Sequence, residues 1–212
     1  MDRNPFSLSG LQPVQRNGAE VDDRNAFDTA TRIAAGDDGQ NYDHVAVTLH
    51  WLTALLVILQ FALGETWGWF SRPVHHLMVA THMSFGIILT LVVLARVIWR
   101  FLLGHHLRSL EAGLVRVAST AVHYLFYVLL AIQAVLGFLS RWEGNEAMSF
   151  FGLQIPPPFI GAGQKTAHQL QDIHNWVGWA IIVLAVGHAS AALYHHYALK
   201  DRVLGRMLPV VR

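Results

Sequence analysis

The sequence predicts an all-α integral membrane protein that folds as a four-helix bundle. Of its 212 residues, 53% are hydrophobic and only 14% are charged. It contains four apolar stretches, each long enough to cross the ~30 Å hydrocarbon core of a bilayer as a helix. Helices are the expected structure because a chain that spans a membrane must satisfy its backbone hydrogen bonds internally.

The four predicted spans cover about residues 45–63, 77–103, 117–139 and 172–197. Trp67 and Trp69 follow the first span, where tryptophan is typical of a membrane–water interface. The connection 141–170 is the longest between spans, and its run of prolines at 156–158 excludes a regular helix there. We expect this loop to fold over the mouth of the bundle.

Basic residues predict the orientation of the bundle. One side carries eight lysines and arginines, against three on the other. The eight are Arg96, Arg100, Arg108, Arg116, Lys200, Arg202, Arg206 and Arg212, and the three are Arg72, Arg141 and Lys165. By the positive-inside rule, the 103–117 loop and both termini face the cytoplasm, and the 141–170 loop is external.

The first forty residues differ in composition from the rest of the chain. Residues 1–40 are rich in Asp, Gly, Asn and Arg and have no sustained apolar periodicity, which predicts a disordered tail. The alternative is an arm that docks to a larger membrane complex, with Phe6, Leu8 and Leu11 as its anchors. Residues 41–212 form the predicted transmembrane domain.

Two histidines lie on one face of the fourth span. His174 and His188 are fourteen residues apart, which on a helix places them within ~40° of the same face and ~21 Å apart along the axis. His82 lies near the external start of the second span, and His50 lies near the cytoplasmic end of the first. The pairs His82/His174 and His50/His188 therefore fall at two depths, as two stacked haem irons with axial imidazole ligands require.

Small side chains support this choice of histidines. The residue one helical turn after each, where a porphyrin would lie, is Ala54, Gly86, Gly178 or Ala192. His123, in the third span, has Tyr127 at that position and is the competing ligand. Interhelical hydrogen bonding, a proton relay and a non-haem metal site are the other interpretations of intramembrane histidines.

Several other polar residues have ordinary alternatives. Arg96 either extends to the cytoplasmic headgroups or contacts a haem propionate or a quinone, and Gln60 and Gln133 are expected to pair between helices. The histidines at span ends are predicted to anchor the interface; they are His44, His75, His76, His105, His106, His195 and His196. The absence of cysteine excludes iron–sulfur clusters, thiolate ligation and covalent haem attachment.

Several motifs occur together in a familiar order. They are LHWLTALL around His50, THMSFGIILTLVVLARVIWR around His82, IHNWVGWAIIVLAVGH around the fourth-span pair, and the tail KDRVLGRMLP. Over about residues 41–210 the sequence resembles the prokaryotic cytochrome b561 family of four-helix di-haem membrane proteins. The resemblance implies that His50, His82, His174 and His188 are the axial ligands of two haems b.

The resemblance also implies an activity. Members of the family include superoxide:ubiquinone oxidoreductases, so we expect an oxidoreductase that passes electrons from external superoxide, or another one-electron donor, to membrane quinone. Two histidines per iron leave no open position for oxygen, which restricts each haem to electron transfer. The alternatives are a haem-bearing subunit of a larger respiratory or photosynthetic complex and a non-redox membrane scaffold.

Overall fold

The computed structural model describes residues 44–103 and 113–200 and contains four long helices. They are α1 (His44–Thr66), α2 (Arg72–Ile98), α3 (Gly113–Glu143) and α4 (Gln164–Tyr194). A 3-10 turn, Trp67–Trp69, follows α1, and π-helical turns extend α2 over Trp99–Leu103 and α4 over His195–Leu199. All four helices are long and apolar enough to cross a membrane, which confirms the predicted membrane bundle.

The helices extend beyond the predicted spans mainly at the end of the bundle that carries the 141–170 connection. This end is named the external end, and the opposite end the cytoplasmic end, after the predicted orientation. Helix α3 continues to Glu143, and α4 begins at Gln164 rather than near Asp172. The external connection is therefore shorter than predicted, because polar turns of both helices project past the apolar stretches. The predicted N-terminal tail, most of the 103–117 loop and the end of the basic C-terminal tail lie outside the described residues.

The bundle is assembled from two helical hairpins. Helix α1 packs mainly on α2, and α3 packs mainly on α4, with fewer contacts between the hairpins. Apolar side chains cover the outer faces: Leu55, Ile58, Val128 and Val183 are all more than half exposed. Such faces are stable against lipid tails, so the interior is left for the polar residues.

A small β-hairpin covers part of the external end. Strands β1 (Met148–Phe150) and β2 (Leu153–Ile155) pair antiparallel around Phe151 and Gly152, which both have positive φ angles of 46° and 92°. Positive φ at both positions is the geometry of a type I′ turn. This hairpin lies within the loop that the sequence predicts to fold over the bundle mouth.

Ser84 of α2 links the β-hairpin to the bundle through hydrogen bonds. Its Oγ accepts a hydrogen bond from the Phe151 amide at 2.9 Å and lies 3.3 Å from the Ser149 carbonyl oxygen. The Phe151 ring packs edge-on against Phe85, with centroids 5.8 Å apart. Because Phe151 has an unfavourable positive φ, these contacts hold the turn in place.

We expect Ser84→Ala to loosen the β-hairpin. The variant leaves the Phe151 amide without its acceptor, at a cost of about 1–3 kcal/mol. Hydrogen exchange of the amides at 148–155 should accelerate. Thr81→Ala is the matched control, because the Thr81 hydroxyl bonds only to Leu77 in its own helix; equal exchange in the two variants would contradict this role of Ser84.

Candidate functional site

His82 and His174 face each other inside the external half of the bundle. Helices α2 and α4 bring their rings to a centroid distance of 6.2 Å, with 71° between the ring planes. Both side chains lie within apolar helices, and their nitrogens have little access to water. Of the four sequence-predicted site residues, these two are in direct ring contact.

This separation leaves room for one metal ion between the rings. Imidazole nitrogens bind zinc at about 2.0–2.1 Å, and a ring centre lies about 1.1 Å beyond its nitrogen, so two rings on one ion have centres about 6.2–6.4 Å apart. The observed 6.2 Å falls at this value. Rotation of a ring about its metal–nitrogen bond does not change the distance, so the angle of 71° is compatible with shared coordination.

Two cavities adjoin this histidine pair. The larger, about 890 Å³, lies between α2 and α3 and reaches the external end, and the smaller, about 80 Å³, lies on the other side of the pair. Gly86 and Gly137 line the first, and Gly64 and Gly178 line the second. The larger cavity has the size of a site for a cofactor-sized ligand, and its walls combine apolar residues with polar ones such as His75, Arg141 and Glu146.

The two δ nitrogens of the pair have different surroundings, and only that of His82 lies within hydrogen-bond distance of a glutamine carbonyl. His82 Nδ1 lies 3.2 Å from the carbonyl oxygen of Gln60, and His174 Nδ1 is buried and interacts only weakly with the carbonyl of Gln133. A ring that donates its Nδ1–H to a carbonyl presents Nε2 as a free lone pair. The arrangement therefore prepares His82 to bind a metal through Nε2.

The glutamine side chains fill the space beside two glycines. Gln60 Nε2 donates to the His82 carbonyl at 2.9 Å, and a Cβ placed on Gly86 would stand only 2.8 Å from that nitrogen. A Cβ on Gly178 would stand 3.3 Å from Gln133 Nε2. The Oε1 atoms of both glutamines are buried without a hydrogen-bond partner, so each is an acceptor available beside the site.

A second cluster of polar side chains lies toward the cytoplasmic end. Arg96 donates from its guanidinium to His50 Nδ1 at 3.0 Å and lies 5.7 Å from the centre of the Tyr127 ring. His188 contacts His123 edge-on at a centroid distance of 5.2 Å. His50 is close enough to both histidines to interact with them electrostatically. The structure thus brings His50 and His188 into one cluster. Within that cluster, His50 contacts Arg96 and His188 contacts His123.

The two helical hairpins carry the same pattern of polar residues and glycines. Helices α1 and α3 share the spacing His-x9-Gln-x3-Gly. Helices α2 and α4 share the spacing His-x3-Gly, and ten residues after that glycine α2 has Arg96 where α4 has His188. The matched positions are His50 and His123, Gln60 and Gln133, Gly64 and Gly137, His82 and His174, Gly86 and Gly178, and Arg96 and His188. The bundle is therefore an internal repeat of two hairpins that run in the same direction. The matched residues are identical at the external end and differ at one position of the cytoplasmic end, where Arg96 matches His188.

The repeat is the signal that identifies Gln60 and Gln133 as site residues. Considered one at a time, each glutamine suggested only helix-to-helix pairing. In the structure Gln60 donates to the His82 carbonyl, and Gln133 lies against Gly178, one helical turn after His174. Among residues 44–103 and 113–200, no group of three or more His, Asp or Glu side chains is arranged as a non-haem metal site.

Comparison with known proteins agrees with this architecture. A family model of prokaryotic cytochrome b561 matches residues 41–210. The chain belongs to the prokaryotic cytochrome b561 family. Haem b binding and electron transport in a bacterial membrane follow from that membership.

Individual cytochrome b561 relatives align over most of their length. Cytochrome b561 homolog 2 of Escherichia coli K12 is 32% identical over 185 residues, covering 80% of this chain and 92% of the relative. A probable superoxide oxidase, CybB of Yersinia pestis, is 28% identical over 180 residues, covering 82% and 98%. Cytochrome b562 of Cereibacter sphaeroides is 30% identical over 177 residues, covering 79% and 94%.

We expect Gly86→Ala to destabilise this cytochrome b561 through Gln60. The new methyl displaces the Gln60 amide from its hydrogen bond to His82, at a cost of about 1–3 kcal/mol. Gly187→Ala is the matched control, because a Cβ there meets no atom within 4 Å in the same kind of helix interior. Thermal unfolding in detergent measures the difference; equal melting temperatures of the two variants would contradict the close packing.

Proposed function

We propose that this cytochrome b561 oxidises external superoxide and reduces membrane quinone, using two haems b stacked across the membrane. His82 and His174 would hold the external haem, and His50 and His188 the cytoplasmic one. The observation that carries the proposal is the 6.2 Å separation of the external rings beside a cavity of about 890 Å³. When bound, each haem would supply a one-electron carrier whose two axial positions are filled.

The polypeptide's contribution at the external site is to fix and shield the ligands. The Gln60 carbonyl sets the His82 tautomer, and the packing of the glutamine amides against Gly86 and Gly178 fixes the helix spacing. Buried amide oxygens nearby would favour the more positive, oxidised state of the site.

The proposed orientation places the cytoplasmic site at the end of α2 that carries Arg96 and Arg100. The external site then lies below the β-hairpin and within reach of the outer medium through the larger cavity. Two ligand positions fourteen residues apart on α4 are ~21 Å apart by helix rise, which spans much of the hydrocarbon core.

The overall reaction balances in electrons and protons. Two superoxide anions each lose one electron and become dioxygen. One quinone gains the two electrons and two protons and becomes quinol. The likeness to a probable superoxide oxidase supports the donor side of this assignment.

The direct test is to supply superoxide and quinone to the purified protein alone. We expect two superoxide anions to be consumed per quinol formed, at a rate that depends on the protein. Superoxide consumption that is unaffected by quinone, or that needs another polypeptide, would contradict the proposal.

A second candidate function rests on residues 1–40. This segment lies outside the family match, which begins at residue 41. It would dock the cytochrome to a partner dehydrogenase or a larger respiratory or photosynthetic assembly that donates the electrons. Removal of residues 1–40 distinguishes the two: a free-standing oxidase keeps its superoxide-dependent rate, whereas a docked subunit loses co-purification with its partner.

We expect the external cations to speed superoxide entry. Lys165 is exposed in the first turn of α4, and Arg141 lines the larger cavity, where it pairs with Glu146 at 2.5 Å. Lys165→Glu combined with Arg141→Glu should slow superoxide-driven haem reduction because both changes repel an anion. The loss should increase as ionic strength falls, since salt screens the interaction.

Two variants control this prediction. Lys200→Glu reverses one positive charge at the opposite end of the bundle and should leave the rate unchanged, whereas Lys165→Glu alone, with the same charge change, should lower it. Glu146→Gln frees the Arg141 charge and should raise the rate at low salt. If all these variants reduced haem at the same rate at low ionic strength, the external cations would serve only to anchor the protein at the interface.

A further inference from the structure

The cytoplasmic cluster breaks the internal repeat at one position. In the first hairpin Arg96 contacts His50, and in the second His188 contacts His123. These contacts are equivalent because His50 matches His123 and Arg96 matches His188 in the repeat. The repeat therefore relates the proposed ligand pair His50/His188 to a second pair, His123 of α3 and Arg96 of α2. This second pair is called the image site.

This image site cannot hold an iron in the same way. A guanidinium has five N–H donors, no lone pair to donate and a charge that persists in proteins, so Arg96 cannot be an axial ligand. It can bind an oxygen acceptor through two N–H groups. The substitution of arginine for histidine therefore changes the kind of ligand that this position recognises.

Ligation at His50 would remove the acceptor that Arg96 now uses. An imidazole that binds a metal through Nε2 carries its proton on Nδ1, which then donates rather than accepts. Arg96 presently donates to that Nδ1 at 3.0 Å. In the haem-bound protein the Arg96 guanidinium, inside an apolar helix, keeps its interaction with the Tyr127 hydroxyl and has N–H groups for a further oxygen acceptor in place of His50.

Lipid access favours a membrane-soluble ligand as that acceptor. The seam between α2 and α3 has fewer contacts than the helix pairs within each hairpin. Leu94 of α2 and Tyr124 of α3 are both about half exposed on the outer surface near this depth. The Tyr127 ring, 5.7 Å from the Arg96 guanidinium, offers an aromatic face to a flat ring.

We propose that Arg96, with Tyr127 beside it, binds a carbonyl oxygen of the quinone head group in the α2–α3 seam. The assignment rests on the proposed function and names where its acceptor binds. Arg96 sits at the register of the ligand His188, so the head group lies at the depth of the cytoplasmic haem site. A haem carboxylate is the other oxygen acceptor that the same guanidinium would recognise, and the experiment separates the two.

The test measures quinone binding to the haem-loaded protein, with Arg96→Gln compared against Arg100→Gln. Arg100 carries the same charge one helical turn further on and is exposed. Decylubiquinone affinity by equilibrium partition should fall about tenfold or more in Arg96→Gln, the loss expected for a hydrogen bond to a charged donor. Arg100→Gln should bind as the wild type does, and both variants should keep the wild-type haem content.

A photoactivatable azidoquinone provides a second readout. It should label peptides from the cytoplasmic halves of α2 and α3 in the wild type, and the labelling should be lost in Arg96→Gln. Wild-type affinity in Arg96→Gln would overturn the assignment. Loss of one haem with quinone affinity retained would also overturn it and assign Arg96 to a haem carboxylate. A wild-type protein that binds no quinone would overturn the proposed function itself.

Discussion

The contact between His82 and His174 is the interaction on which the external half of the bundle depends. Two imidazoles in an apolar interior have no water to satisfy them, so their nitrogens need protein or cofactor partners. The Gln60 carbonyl satisfies one nitrogen of His82, and the 6.2 Å ring separation matches that of two imidazoles that share one ion. Glycines at four matched positions make this approach of helices possible by leaving room for the glutamines and the rings.

The internal repeat explains why the external site is symmetric and the cytoplasmic cluster is not. Two parallel hairpins with the same His, Gln and Gly spacing produce matched walls around a central external site. At the cytoplasmic end, Arg96 replaces the imidazole found at His188, so the hairpins can hold different ligands there. One sequence plan would thus serve both the proposed carrier site and the proposed head-group site.

Much of the fold could be predicted from the sequence because lipid imposes simple rules. The length of the apolar stretches and the need to satisfy backbone hydrogen bonds in lipid predicted all four helices. The periodicity of a helix placed His174 and His188 on one face of the fourth. The β-hairpin was missed because its strands have only three residues each and its turn uses Phe151, which rarely adopts positive φ. The α4 start was predicted too late because a hydropathy argument does not detect the polar turns beginning at Gln164.

The candidate site was less accessible to sequence reasoning than the helices. Depth and small neighbours selected the histidines, but neither could show that the backbone of Gln60 meets His82 or that Arg96 meets His50. Those contacts depend on the rotation of each helix, which composition does not determine. The spacing shared by the two hairpins carries this information, because equivalent residues in a repeat occupy equivalent surroundings.

The most direct test of the account is the haem content and reduced-minus-oxidised spectrum of the purified protein, measured beside His174→Ala and His188→Ala. We expect two b-type haems per wild-type chain, with each variant losing a different one, because α4 would supply one ligand to each proposed site. A single haem in the wild type, or two haems retained in both variants, would contradict the proposed pairs and return His123 to consideration as a ligand.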